Sequence, residues 1–177
     1  MKSFKGASAA LALSLAVLGT LAVSAPAQAA SWSPEQDGYG LCLDDTGYST
    51  QAGNQMQVWT CNGKAPQGWT VYASRTDPPT GAVEVMIEVQ QSGMCLDQYQ
   101  GKQGPVVQWP CHKGDNAQWW FPIYSGGGPG WDNLASAASG DWLQGPALAG
   151  EKVYTANVMP SPPGNSRGFS WYGPASV

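Results

Sequence analysis

The chain has 177 residues, of which 11% are charged, and its formal net charge at pH 7 is −4. It contains 23 glycines, 14 prolines and 9 tryptophans, which is typical of turns and short strands and excludes long exposed helices. Because the few basic residues are scattered, the composition also excludes nucleic acid as a partner and disfavours an anionic membrane surface.

The first 29 residues have the three parts of a secretory signal peptide. Two lysines form a basic start, residues 9–23 are apolar, and Ala27-Gln28-Ala29 offers a small-x-small cleavage site. Cleavage after Ala29 would leave residues 30–177, with six basic and twelve acidic residues and a net charge of −6. No other segment approaches the ~20 apolar residues that span a bilayer, so no membrane insertion is expected. The sequence therefore predicts a secreted, extracellular domain.

Three short motifs recur in the same order three times along the rest of the chain. The first begins with glycine and ends in Leu-Asp or Leu-Gln, at residues 40–44, 93–97 and 140–144. The second has an aromatic residue two positions before Cys or Ala, at residues 58–62, 108–112 and 153–157. The third ends on tryptophan, at residues 67–69, 116–120 and 169–171. This repetition predicts three units, at about residues 32–76, 82–124 and 131–174.

The segments between the motifs predict strands and turns. Residues 83–89 alternate Val or Ile with Glu or Met, a period of two that favours a β-strand. Glycine- and proline-rich segments at residues 77–81 and 125–130 separate the units, and no stretch has a sustained helical period. We therefore expect an all-β fold in which three similar units close on one another.

The four cysteines lie two per unit, and in a secreted domain they are expected to be oxidised. Equivalent cysteines should pair alike, and the third unit has Trp142 and Ala156 at the two cysteine positions, a large and a small side chain that can refill the space. We predict the bonds Cys42–Cys61 and Cys95–Cys111. Closing loops of ~15–20 residues stabilises the fold by roughly 3 kcal/mol each. A single histidine and the lack of a C-x-x-C motif disfavour a metal site, and no cofactor is predicted.

The unit G-x-C-L-D … W-x-C … Q-x-W strongly resembles the ricin B-type lectins and is similar to the related carbohydrate-binding modules of secreted bacterial polysaccharide hydrolases. The resemblance covers about residues 32–174 and implies a β-trefoil of three pseudo-symmetric four-stranded units, with up to one shallow sugar site per unit. The closing tryptophans of the units are expected in the core: Trp69, Trp119 or Trp120, and Trp171.

The resemblance implies sugar-binding roles for two residue types in units one and two. Asp44 and Asp97 match the family's aspartate, whose carboxylate accepts hydrogen bonds from two sugar hydroxyls. The alternative is an aspartate that hydrogen-bonds the backbone of its own turn. Trp59 and Trp109 match the aromatic residue on which the apolar face of the sugar packs. The alternative for these two is a half-buried strand tryptophan.

Further polar contacts follow the second cysteine of each unit. Asn62 and His112 match positions where the family often has a polar sugar contact, although a lone histidine is as often a surface residue. The glutamines Gln67 and Gln118 complete the two predicted sites, together with Asn116 in unit two.

Both units depart from the family pattern at the asparagine that commonly precedes the glutamine of Q-x-W. Unit one has Pro66 there. Unit two has Asn116 at the expected spacing, but its glutamine position is then Ala117, or the motif slips to Gln118-Trp119-Trp120. We expect unit two to hold the more complete site.

Unit three has Gln144 in place of the aspartate, with Tyr154 as its expected stacking residue. An amide lacks the charge that strengthens a hydrogen bond to a sugar hydroxyl. We therefore expect a weak or inactive third site.

The favoured function is a secreted, non-catalytic lectin for galactose-like sugars or xylan-type polysaccharide. An enzyme is disfavoured because the three units occupy nearly the whole chain and no paired carboxylates are evident. The alternative is an interaction protein, either a protease inhibitor or a docking subunit of a separate secreted enzyme or toxin. An insertion at residues 158–164 and the missing asparagine of unit one lend that alternative some support.

Overall fold

The structure is a computed structural model that describes residues 35–36, 39–123, 130–131, 133–159 and 168–172. The predicted signal peptide, residues 1–29, and most of the insertion at residues 158–164 lie outside the described residues. Within the described part of the chain, no helix is long and apolar enough to cross a membrane.

The described residues form short strands and three single turns of 3₁₀ helix. The strands are β1 (Glu35–Gln36), β2 (Leu41–Asp45), β3 (Met56–Thr60), β4 (Trp69–Thr76), β5 (Val83–Val89), β6 (Met94–Gln98), β7 (Val106–Trp109), β8 (Trp120–Ile123), β9 (Gly130–Trp131), β10 (Asn133–Ser136), β11 (Trp142–Gln144), β12 (Tyr154–Ala156) and β13 (Phe169–Tyr172). The 3₁₀ turns are Thr46–Tyr48, Ala65–Gln67 and Asn116–Gln118. The short strands and frequent turns agree with the glycine- and proline-rich composition.

All strand pairs are antiparallel and repeat one scheme three times. Each unit has a hairpin, β2–β3, β6–β7 or β11–β12. Among the other strands, the pairs β4–β5, β8–β10 and β13–β1 join one unit to the next, and β9 pairs with β13. Three hairpins on a ring of strands that links units one to two, two to three and three to one form a β-trefoil, which confirms the predicted fold.

The closing tryptophans of the units meet in the core, as predicted. Trp69, Trp120 and Trp171 are buried in one cluster, and the rings of Trp69 and Trp171 pack edge to face with centroids 6.3 Å apart. Trp69 Nε1 donates to the Leu43 carbonyl at 3.2 Å, and Trp120 Nε1 donates to the equivalent Leu96 carbonyl at 3.1 Å. Trp120 is therefore the counterpart of Trp69 in unit two, whereas Trp119 is buried in a second, smaller cluster.

The disulfide bonds join Cys42 to Cys61 and Cys95 to Cys111, which confirms the predicted pairing. Each bond ties the first strand of a hairpin to the segment that follows its second strand. Trp119 packs beside the second bond, in a small cluster with Met86 and Cys95.

The prediction for the second motif of unit three was wrong by two residues. Trp142 stands at the first cysteine position, as expected, but the residue paired with it is Ala156, whereas Cys42 is paired with Trp59. Ala156 therefore occupies the place of the exposed tryptophan, and Tyr154 does not. A shift of two residues keeps every side chain on the same face of a strand, so the alternating sequence pattern is the same in either register.

Hydrogen bonds between the units confirm this register. The amides of Val58, Gln108 and Thr155 each donate to a carbonyl in the adjoining unit, at 3.0 Å in all three cases. These three residues are therefore equivalent, and the residue after each is Trp59, Trp109 or Ala156.

Candidate functional site

The Asp44 carboxylate is held by two glutamine side chains. Asp44 lies on β2 and is 6% exposed, and its Oδ1 accepts a hydrogen bond from Gln57 Nε2 at 2.8 Å. Its Oδ2 accepts from Nε2 of Gln67 at 3.0 Å. The Oε1 atom of Gln67 in turn accepts from the backbone amide of Asn62 at 2.8 Å. Asp44 is thus fixed by the side chains of the second strand and the 3₁₀ turn, and not by the backbone of its own turn.

Unit two repeats this network around Asp97, which is 4% exposed. Its Oδ2 accepts from Gln118 Nε2 at 3.1 Å, and Gln118 Oε1 accepts from the His112 amide at 2.8 Å. The match identifies Gln118 as the counterpart of Gln67. It settles the register of the third motif, in which Ala117 precedes the glutamine.

One position makes the two carboxylates different. Val107 is paired with Asp97 at the place where Gln57 is paired with Asp44. Since valine cannot donate a hydrogen bond, the described residues supply no donor to Oδ1 of Asp97. That oxygen keeps its full capacity to accept a hydrogen bond.

Burial raises the pKa of Asp97 above its ordinary value, the hydrogen bond from Gln118 opposes this, and the nearby charge of Asp115 adds to it. The neighbouring side chain in unit one, Asp45, is fully buried, and burial raises its pKa to about 6 despite a hydrogen bond from Asn54. The described residues contain no cluster of three histidine, cysteine or acidic side chains suited to a metal ion.

The two predicted stacking residues lie at the surface. Trp59 is 45% exposed and Trp109 is 38% exposed. Each indole packs on a glycine of an adjoining unit: a Cβ atom at Gly150 would lie 3.3 Å from Cζ3 of Trp59, and one at Gly53 would lie 3.2 Å from Cζ3 of Trp109. Both glycines also have positive φ angles, which glycine adopts without strain. Each indole thus packs against backbone that belongs to another unit of the trefoil.

The remaining predicted residues have varied surroundings. Asn62 and His112 contribute their backbone amides to the glutamines, and Asn62 Oδ1 also accepts from the amide of Lys64 at 2.9 Å. The His112 side chain is exposed. Asn116 Oδ1 accepts from Arg75 Nη2 at 3.0 Å, so this side chain bonds to unit one and has no hydrogen bond to Asp97.

Unit three lacks both main features of the other two units. Gln144 replaces the aspartate, and its amide donates to the Val158 carbonyl. Ala156 replaces the exposed tryptophan. A cavity of about 170 Å³ remains beside Gln144, Lys152 and Tyr154.

Sequence reasoning missed Gln57 and the two glycines that back the indoles. Gln57 lies two residues before Trp59 and therefore on the same face of β3, a signal that could have identified it. The glycines carry no such signal, because each contacts a tryptophan of another unit.

The first two units match the family model of the ricin-type β-trefoil lectin domain, over residues 35–127. No curated protein matches the chain significantly. Among solved structures it is similar to ThreeFoil, a designed threefold-symmetric protein, with a TM-score of 0.63 and 20% identity, covering 81% of this chain and 96% of that one.

Two natural proteins are also similar. One is the exo-β-1,3-galactanase 1,3Gal43A from Clostridium thermocellum, with a TM-score of 0.65 and 19% identity, covering 84% of this chain but 30% of the galactanase. The other is the C-half of an earthworm R-type lectin in complex with GalNAc, with a TM-score of 0.54 and 15% identity, covering 81% of this chain and 98% of that one. At these identities the structural similarities show a shared fold. The family model, however, covers more than half of the sequence, and the chain therefore belongs to the ricin-type β-trefoil lectin domain family.

Proposed function

We propose that this protein binds carbohydrate at two shallow sites, one in unit one and one in unit two. The observation that carries the proposal is the duplicated network of a buried aspartate and a buried glutamine, in which each aspartate shares its hairpin with an exposed tryptophan. A structural role alone would not require an exposed indole on the same hairpin as a nearly buried carboxylate in both unit one and unit two.

The chemistry of both sites suits a sugar ring. The apolar C–H face of a sugar packs on Trp59 or Trp109, and its hydroxyls donate to Asp44 or Asp97. The glutamines hold the carboxylates in place, so little side-chain freedom is lost on binding. Oδ1 of Asp97 is the acceptor that no protein donor among the described residues occupies.

The proposed ligands are galactose-like sugars or xylan-type polysaccharide, bound without catalysis. The similar earthworm lectin was solved with GalNAc, which supports the first class. Asp44 and Asp97 belong to separate hairpins and each is bound by a glutamine, whereas a glycosidase needs two carboxylates across one cleft. With two weak sites on one body, retention on a polymer would exceed that on a single sugar. Secretion of the mature domain is part of the same proposal.

A glycan array that includes galactosides and xylo-oligosaccharides tests the proposal. Probed with the oxidised mature chain, it should show selective binding that is reduced in Trp59→Ala and in Asp97→Asn. The asparagine keeps an acceptor for Gln118 and replaces the open oxygen with an NH₂ group. Tyr72→Ala is the matched control, because Tyr72 is 46% exposed and lies on β4, outside both sites.

Undiminished binding by the double variant Trp59→Ala/Asp97→Asn would refute the assignment of the sites. A blank array from a protein with an intact near-ultraviolet circular dichroism spectrum would refute carbohydrate binding. That outcome would favour the alternative of a docking or inhibitory trefoil with a protein partner.

A further inference from the structure

Tyr99 stacks on the exposed tryptophan of unit two. The ring centroids of Tyr99 and Trp109 are 5.6 Å apart and the ring planes are 16° from parallel. Tyr99 follows β6 two residues after Asp97, and its amide donates to the Pro105 carbonyl at 3.0 Å, which continues the hairpin pairing. Both rings therefore lie on the face of the hairpin that carries the carboxylate.

Unit one has no counterpart of this stack. The residue two positions after Asp44 is Thr46, whose hydroxyl donates to the Gln55 carbonyl at 2.6 Å. The same hydroxyl accepts from Lys152 Nζ at 2.6 Å. Within the described part of the chain no ring lies on Trp59, which accordingly is the more exposed of the two indoles.

A sugar and a tyrosine ring need the same surface, since each packs its flat apolar face on the indole. Gly53 already lies against the Trp109 ring from the adjoining unit. With Tyr99 stacked on the ring as well, a ligand must displace the tyrosine before it can lie on the indole beside Asp97. The apparent affinity of such a site equals its intrinsic affinity multiplied by the fraction of molecules in which the stack is open.

We propose that Tyr99 determines which of the two sites binds first: it caps Trp109, so that the unit-one site on Trp59 binds carbohydrate ahead of the unit-two site. This inference rests on the proposed function and deepens it. It reverses the order expected from the sequence, in which unit two has the more complete set of polar residues.

An exchange of the two equivalent residues tests the proposal. Tyr99→Thr is made in a Trp59→Ala background, which leaves unit two as the working site. Thr46→Tyr is made in a Trp109→Ala background, which leaves unit one. Affinity for N-acetylgalactosamine and for xylotriose is then measured by titration calorimetry. The matched control is Tyr99→Phe, which keeps the ring and removes only the hydroxyl.

Removing the cap should strengthen binding at unit two by about two- to tenfold, the range that corresponds to the energy of one aromatic pair. Thr46→Tyr should weaken binding at unit one, and Tyr99→Phe should change nothing. Weaker or unchanged binding in Tyr99→Thr would overturn the proposal, and weaker binding would make Tyr99 part of the binding platform instead.

A measurement without sugar separates this inference from the proposed function. The indole N–H resonance of Trp109, assigned with Trp109→Phe, should shift in Tyr99→Thr and stay in place in Tyr99→Phe, because the ring current of residue 99 acts on it. If the resonance does not shift in Tyr99→Thr, Tyr99 does not stack on Trp109 in solution. That result refutes the role of Tyr99 and leaves the proposed carbohydrate binding untouched. Loss of binding to both sugars in every form of the protein, wild type included, would instead refute the proposed function, and the role of Tyr99 with it.

Discussion

The buried carboxyl of Asp45 should make the stability of this protein depend on pH. Asp45 is fully buried, and burial raises its pKa from 3.8 to about 6. Its Oδ1 accepts from Asn54 Nδ2 at 2.6 Å, whereas its Oδ2 is buried without a hydrogen-bond partner among the described residues. Ionisation of this group therefore destabilises the folded protein.

The sign and size of the effect follow from the pKa difference. The folded state holds its proton up to about pH 6 and the unfolded state only up to 3.8. The stabilising effect of protonation is complete below pH 3.8 and is lost as the pH rises through about 6. Roughly two pKa units correspond to about 3 kcal/mol of unfolding free energy.

The substitution Asp45→Asn removes this dependence without changing the shape of the side chain. Urea unfolding of both proteins from pH 4 to pH 8 should show that Asp45→Asn becomes more stable relative to wild type as the pH rises, by up to about 3 kcal/mol. The unpaired NH₂ group of the asparagine destabilises the variant by about 1–3 kcal/mol at every pH. This cost shifts the difference in unfolding free energy between the two proteins by a constant and leaves its dependence on pH unchanged. Added salt should change the trend little, because burial and not a surface charge causes it. A difference that stays constant from pH 4 to pH 8 would refute the argument.

Three further outcomes are expected. Replacing Cys95 and Cys111 together by serine should lower the unfolding free energy by about 3 kcal/mol in urea titrations, and a loss below 1 kcal/mol would contradict the role of the cross-link. Amino-terminal sequencing of the exported protein should begin at Ala30, and an intact Met1 would overturn the predicted signal peptide. In the Trp59→Ala background, retention on immobilised sugar should weaken as the solution is acidified, because burial raises the pKa of Asp97 and protonation removes the charge on the acceptor. Retention that does not vary with pH would show that Asp97 is not the acceptor.

Much of the fold could be predicted because short motifs specify each unit and recur in all three units of the sequence. Cysteines at equivalent places in two units imply pairs within each unit, and the structure has those pairs. A closing tryptophan in every unit predicts a shared core, and Trp69 and Trp171 meet there. The unit motif was also sufficient to indicate the family. In each case equivalent positions of the three units could be compared, which a motif that occurs only once does not allow.

Two registers could not be decided in this way. Strand side chains alternate with a period of two, so a shift of two residues in unit three preserves the pattern, and only the backbone pairing places Ala156 opposite Trp142. In unit two, the choice between Trp119 and Trp120 depends on whether Ala117 or Gln118 occupies the glutamine position of the motif. The bond from Gln118 to Asp97 decides it.

By itself the sequence determined the repeat, the disulfide pairing and the residue types that a sugar site needs, because these depend on order and spacing along one chain. The tertiary structure alone decided how open each site is. Gly53 of another unit contacts the Trp109 ring, Val107 leaves one oxygen of Asp97 without a donor among the described residues, and Tyr99 covers part of the indole. These contacts form only when the strands of a hairpin twist and the three units pack around the threefold axis. Because the residues that meet in this way have no fixed spacing along the chain, their contacts cannot be predicted from the sequence.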